Sequence, residues 1–263
     1  MAEEKLRDQI RRENHDYWLK RAEGYSEVNR EELAGIQHQT WPDFLEKEIQ
    51  SHYPGWKPGD LRILDMGAGP GFLSIVLTGR GYELTAADFA ESMLEEARKN
   101  AGSLADRIHF CQEDAMNLSF LDESFDVVLS RNLTWNLPDP KKAYGEWLRV
   151  LKKGGLLLNF DANWYRYLVD DRAREAYEED RKRVAERKVG DYNIGENFDR
   201  MEEIADGLPL TGEHRPEWDL SVLRELGTAS VRAVENVGDR LYSEKEKINY
   251  SATPLFMVEA VKY

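Results

Sequence analysis

Cysteine is almost missing from this 263-residue chain: Cys111 stands alone, which excludes an internal disulfide framework and fits a reducing compartment. No apolar run approaches the roughly 20 residues that a membrane-spanning helix needs. The start, Met1-Ala2-Glu3-Glu4-Lys5-Leu6-Arg7, carries charge where a secretory leader has its apolar core, so a cytoplasmic protein is expected. Histidines are few, and His15, His38, His52, His109 and His214 are scattered, so no transition-metal site is expected. Positive charge is the scarcer sign, 36 Lys and Arg against 50 Asp and Glu. The resulting net charge of −14 argues against nucleic acid as a partner, since a protein that rides on phosphates needs a basic surface. The richest basic stretch, Arg181-Lys182-Arg183 with Arg187-Lys188, alternates with Glu175, Glu178, Glu179 and Glu186. That pattern reads as a solvated helix laced with i,i+4 ion pairs.

The most informative stretch that is present runs Ile63-Leu64-Asp65-Met66-Gly67-Ala68-Gly69-Pro70-Gly71-Phe72-Leu73. An apolar run climbs to an acid, and glycines then follow at alternate positions before an apolar helical pattern resumes. Physically this is a buried strand, a tight turn that lets another molecule touch the backbone, and the N-terminus of a helix. A dinucleotide-binding turn needs Gly-x-Gly-x-x-Gly to seat a pyrophosphate on the helix end. Here the third glycine, Gly71, arrives one residue early and Phe72 takes the expected place. Asp65 would also repel a pyrophosphate, whereas a carboxylate there suits a ligand with a cationic end. A second strand, Tyr82 to Ala87, ends at Asp88, about 20 residues past the turn, where nucleotide folds bind ribose hydroxyls.

Asp-x-Gly-x-Gly-x-Gly at Asp65 to Gly71 resembles the first motif of the class I S-adenosylmethionine-dependent methyltransferases. Later segments are similar in the same order, from residue 58 to 161. Asp88-Phe89 precedes a helix carrying Met93. The strand Ile108-His109-Phe110-Cys111 leads to Asp114-Ala115, and Phe125 to Ser130 leads to Arg131-Asn132. Leu148 to Leu158 supplies a helix, a glycine turn and a fifth strand. The resemblance implies a Rossmann-like α/β fold: a seven-stranded, mostly parallel sheet with an antiparallel last strand and helices on both faces. It implies S-adenosylmethionine as cofactor, with S-adenosylhomocysteine as product. The ligating positions it implies are Tyr17, Tyr25, Asp65, Gly67, Ala68, Gly69, Gly71, Asp88, Phe89, Met93, Asp114, Ala115, Arg131 and Asn132.

The chain divides into four parts. Residues 1–57 read as a helical extension, with helices from Glu3 to Arg21 and from Val28 to Ile49. Residues 58–161 are the core. Residues 162–217 are an insertion after the fifth strand, aromatic at first, then a charged helix from Asp170 to Lys188, then irregular over 190–195. Residues 218–263 return to the core, with a helix at Ser221 to Leu226 and two strands, Ala229 to Val237 and Leu255 to Val261, forming an edge hairpin. In an open α/β sheet the ligand lies at the carboxyl ends of the strands, so the insertion and the N-terminal extension are placed to cover it. An acidic, aromatic insertion reads as a lid over a small-molecule acceptor, with a structural elaboration or dimer contact as the alternative.

Methyl transfer by in-line displacement needs orientation and water exclusion, and a base only when the acceptor must lose a proton. His214 and Tyr25 are the candidates for that base. Trp135, Asn163, Trp164 and Tyr165 follow the fourth and fifth strands and are candidate acceptor contacts, suited to a flat or cationic group; Trp164 could equally anchor the lid. Tyr17 could serve amphipathic packing instead of the cofactor. The Asn-Pro-Pro-Tyr pattern of amino-group methyltransferases on nucleic acid bases and glutamine is missing after the fourth strand, where Arg131-Asn132-Leu133-Thr134 stands. A lone cysteine argues against arsenic as acceptor. A protein or RNA substrate, or a cofactor-binding module without transfer activity, remains the alternative, and the chain is expected to be a monomer or homodimer.

Overall fold

A computed structural model of the chain describes residues 2–194 and 196–263, except the side chains of 2–8, 11, 196 and 197. Met1, the side chains of the charged start and Gly195 at the end of the irregular stretch thus lie outside the described residues. The strands are β1 (Arg62–Met66), β2 (Glu83–Asp88), β3 (Ile108–Gln112), β4 (Phe125–Arg131), β5 (Leu151–Asp161), β6 (Thr228–Val234) and β7 (Phe256–Lys262). They form one sheet in the order β3-β2-β1-β4-β5-β7-β6. The pairs from β3 to β5 are parallel, and β7 runs antiparallel between β5 and β6. The order reverses between β1 and β4, which places a ligand crevice at the carboxyl ends of those strands.

Alternate residues of each strand feed opposite layers, as a two-residue period requires. Ile63, Val127, Leu156 and Leu158 point to one face, where they meet α2 (Gln37–His52) and α3 (Phe72–Gly79) through Leu45, Ile49, Val76 and Leu77. Leu64, Met66, Val128 and Leu157 point to the other, against α5 (Pro140–Val150) and α8 (Glu217–Glu225) through Tyr144, Trp147, Val222 and Leu223. Burial on both faces explains why these strands read as continuous apolar runs.

Several expected boundaries move. In the N-terminal extension α1 (Ala2–Ala34) runs unbroken through Gly24, and the break before α2 falls at Gly35-Ile36 instead of between Arg21 and Val28. Gly154-Gly155 is not a turn before β5 but an irregularity inside it: Leu151 pairs with Phe125, and Leu156 next pairs with Val127. Val237 lies outside β6, and β6 and β7 are no tight hairpin, because α9 (Gly238–Leu241) and α10 (Glu244–Asn249) lie between them. The charged helix of the insertion is α6 (Asp171–Arg187), with Asp170 accepting from Ala173 N–H as its N-cap. A further helix, α7 (Glu196–Asp206), was not expected. The basic stretch of α6 is also less solvated than its pattern suggests. Arg181 bonds Asp191 and the Asn249 carbonyl, and the buried Asp180 accepts from Ser251 Oγ at 2.5 Å and Ala252 N–H at 2.6 Å, tying α6 to the segment before β7.

Candidate cofactor and acceptor sites

The glycine turn is shaped by positive backbone angles that only glycine adopts freely. Gly67 has φ 71°, and a Cβ at Gly71 (φ 91°) would stand 2.9 Å from the Ala97 side chain. Gly67 and Ala68 N–H both bond the Ala87 carbonyl, at 2.8 and 3.0 Å, which pins the turn to the end of β2. Asp88 then completes it: one carboxylate oxygen accepts from Gly69 N–H and the other from Ala90 N–H, each at 2.9 Å. Asp65 Oδ2 accepts from Ser74 N–H at 3.0 Å and Ser74 Oγ at 2.7 Å, holding the first turn of α3 against the strand. Both carboxyls are buried, and burial raises each to about 6 against the pull of these donors. No cation forms an ion pair with either among the described residues; their hydrogen bonds come from neutral donors, and Arg131 lowers Asp65 only from a distance.

A cavity of about 360 Å³ opens beside this turn. Its walls are Met66, Gly67, Phe89, Gln112 to Met116, Leu133 and Asn136 to Pro138, with Asn14 and His15 of α1 closing it. Asn14 Nδ2 donates to the Asn136 carbonyl at 2.5 Å, and the His15 ring lies 5.2 Å from that of Phe89. A small-residue floor, apolar walls and two acids, Glu113 and Asp114, suit a purine nucleoside in size and polarity.

A second cavity, of about 520 Å³, lies on the other side of the loop that follows β4. Leu133, Asn136 and Leu137 face the smaller cavity, and Arg131, Asn132 and Trp135 face the larger. The larger one is covered by α1, by the start of the insertion and by the segment before β7. Tyr17, Trp18, Tyr25, Trp135, Trp164 and Tyr165 line it, together with Tyr242, Glu246 and Tyr250. The Tyr25 ring also lies over the glycine turn, 3.5 Å from where a Cβ on Gly69 would be. Burial raises the Tyr25 phenol, which keeps it protonated as a donor rather than a base. Arg131 pairs with Glu32 of α1 and stacks over Trp41 and Phe72, 4.7 and 5.0 Å from the ring centres. Burial alone would lower its pKa, but Glu32 raises it. Among the described residues, Asn132 Oδ1 and Trp18 Nε1 are buried without a hydrogen-bond partner.

Several expected positions fall elsewhere. Asp65, Ala68, Gly69, Gly71, Asp88 and Met93 line neither cavity: Asp65 is engaged by Ser74, Asp88 by the N–H groups of Gly69 and Ala90, and Met93 packs with Ala22 and Ala90 between α1 and α4 (Glu91–Ala101). Tyr17, Tyr25, Arg131 and Asn132, expected on the cofactor, line the larger cavity. Asn163 lines neither, since its amide donates to the Arg215 carbonyl at 2.9 Å. His214 is exposed and takes a hydrogen bond from Arg166 at 3.0 Å, away from both cavities, so it is no base for a reaction in them. Asp114 and Ala115 line the smaller cavity with Gly67 and Phe89, and Trp135, Trp164 and Tyr165 line the larger.

Sequence reasoning missed a buried lock behind the larger cavity. Arg215 donates to Asp161 Oδ2 at 2.7 Å and to both oxygens of Asp219, at 2.9 and 2.7 Å. Thr134 donates to Asp161 at 2.5 Å, Tyr144 to Asp219 at 2.5 Å, and Trp164 Nε1 to Asp161 at 3.1 Å. These groups come from four distant segments, so no local pattern points to them. The segment before β7 was missed too, although Ser243-Glu244-Lys245-Glu246 shows the capping-box pattern that opens a helix.

With that geometry in hand, the similarities to known proteins become informative. Residues 64–159 match the family described as "Methyltransferase domain". A demethylmenaquinone methyltransferase of Leptospira interrogans is 32% identical over 169 residues, covering 60% of this chain and 65% of that protein. The match thus spans just under two thirds of that relative. An S-adenosyl-L-methionine-dependent methyltransferase from Methanococcus maripaludis shares the fold with a TM-score of 0.57 at 23% identity over 93% of both chains. Phosphoethanolamine N-methyltransferase 2 of Haemonchus contortus, solved with phosphomonomethylethanolamine and S-adenosylhomocysteine, gives a TM-score of 0.54 at 17% identity, over 83% of this chain and 52% of that one. The core is therefore a methyltransferase domain on a Rossmann-like sheet. In sequence over this core, and in fold over most of its length, the chain is similar to S-adenosylmethionine-dependent methyltransferases.

Proposed function

We propose that the protein transfers the methyl group of S-adenosylmethionine to a small-molecule acceptor held in the larger cavity. The observation that carries this reading is the division of the crevice by the loop after β4, with the glycine turn and Asp114 on one side and an aromatic, covered chamber on the other. The residues fit the cofactor. Gly67 and Gly71 admit no side chain, Ala115 and Met116 offer a surface for adenine, and Asp88 is a buried acceptor next to the turn. When bound, the cofactor supplies an activated methyl carbon. The chain's own residues do the rest: Asp88 and Asp114 orient the nucleoside part, and Tyr25 and Asn132 line the larger cavity, with the Tyr25 ring over the glycine turn. Trp135, Trp164 and Tyr165 keep water from the acceptor, so that proximity and desolvation supply the acceleration.

A covered chamber of this size supports a small acceptor over a folded protein or RNA, which would need an open groove. The relative named for demethylmenaquinone supports a small acceptor as well. Its acceptor chemistry is not carried over, because the matched domain at 64–159 leaves out most of the residues that line the chamber. Calorimetric titration with S-adenosylhomocysteine, with NADH as control, tests the cofactor half. Micromolar binding of the former alone is expected, and absence of binding would overturn the reading. Labelled methyl transfer to cell extract split by size tests the acceptor half: label in the low-mass fraction is expected, and label confined to protein or RNA contradicts it.

A further inference from the structure

The larger cavity carries an acid whose arrangement goes beyond a generic chamber. Glu246 is only 6% exposed, and every hydrogen bond it accepts falls on one oxygen. Gln37 Nε2, Ser243 N–H at 2.8 Å and Ser243 Oγ at 2.7 Å all donate to Oε2. The helix cap therefore uses Oε2 alone, and Oε1 is left to the cavity that Glu246 lines. No cation lies within ion-pairing distance of Glu246 among the described residues. Three cations line the cavity and are committed elsewhere: Arg131 is clasped by Glu32 and stacked on Trp41 and Phe72, Arg21 bonds Tyr17, and Lys245 lies 3.8 Å from Glu31 and 4.1 Å from the centre of the Tyr192 ring.

Aromatic rings gather on the same side of the cavity. Tyr250 is central: its ring lies 5.7 Å from that of Tyr242, 5.9 Å from Tyr192 and 5.2 Å from Trp164. Ring faces attract a cation, most strongly where water is excluded, and a carboxylate among them sharpens the preference. A neutral, flat occupant would bury Glu246 with its free oxygen unanswered, which is unfavourable. An occupant with a positive end would meet it with a charge-assisted contact.

We propose that the acceptor carries an ammonium end, held by Glu246 within the rings of Tyr192, Tyr242, Tyr250 and Trp164, and takes the methyl carbon on a different atom that bears a lone pair, while the electrons of the broken C–S bond leave with S-adenosylhomocysteine. That this ligand is the methyl acceptor rests on the methyl-transfer reading above; that the cavity binds a cation does not. Choline and its uncharged carbon analogue 3,3-dimethylbutan-1-ol, equal in shape, isolate the charge. Each is titrated into the full chain, with and without S-adenosylhomocysteine, while tryptophan emission is followed. Choline is expected to bind at least tenfold more tightly than the alcohol. Glu246→Gln, which keeps an oxygen for the helix cap, should remove that preference while leaving S-adenosylhomocysteine affinity within twofold. Tyr192→Leu, at a half-buried position, should weaken choline severalfold without loss of folding. Equal binding of the two probes, no choline binding, or a preference that survives Glu246→Gln overturns the proposal. Failure of S-adenosylhomocysteine to bind while choline preference persists would instead overturn the methyl-transfer reading alone.

Discussion

The ends of β1 and β2 carry buried aspartates, and so do the end of β5 and the helix behind it, yet the two sets are satisfied in opposite ways. Asp65 and Asp88 meet only neutral donors: backbone N–H groups and one serine hydroxyl. Asp161 and Asp219 meet Arg215, a guanidinium that is itself 5% exposed and fully engaged. The first set keeps uncompensated charge close to the glycine turn, where a ligand can use it. The second is closed upon itself and fastens the end of the insertion to the sheet. Burial of an acid thus has two meanings in one protein, and the partner decides which applies.

Removing the partner breaks the contrast most sharply. Arg215→Met leaves two buried carboxylates without their cation and should destabilise the protein by about 3–5 kcal/mol, read as a lowered urea midpoint. Next in size, Asp88→Asn should weaken S-adenosylhomocysteine by at least about tenfold in calorimetry, the loss of charge-assisted acceptance, with little change in the urea midpoint. The raised carboxyls also set a pH dependence. An acid raised to about 6 from its ordinary 3.8 is easier to protonate when folded, so the stability it contributes is complete below about pH 4 and lost as pH rises through 6. Cofactor affinity should run the other way, falling between pH 7 and pH 5 as the carboxylates protonate, and Asp88→Asn should flatten that slope. Trp164→Ala should lower turnover about tenfold through its place on Tyr250 and Asp161, with S-adenosylhomocysteine affinity within twofold. The smallest effect belongs to His214→Ala, which should leave turnover within twofold.

The glycine turn was legible because its constraints are local. A strand, a run of glycines at φ values of 51° to 91° and an acid at the next strand end leave few choices of residue, and each shows in a short window. The acceptor side is assembled from α1, the insertion and the segment before β7, which meet only in space. Asp161 with Arg215, or Gln37 with Glu246, are pairs separated by 54 and 209 positions, and no periodicity links them. Tyr17 and Tyr25 could be read as cover residues, but not as walls of the second cavity, because that depended on α1 running unbroken past Gly24. The exposed His214 shows the reverse error: residue type suggested a role that position denies.

The length of α1 has one more consequence. Its 33 residues form a rod about 50 Å long at 1.5 Å per residue. Asn14 and His15 close one cavity, and Tyr17 to Glu32, farther along the same rod, wall the other. A single stiff element shared in this way makes the two occupants each other's effectors. Each should raise the other's affinity, and by thermodynamic reciprocity the factor should be the same in both directions.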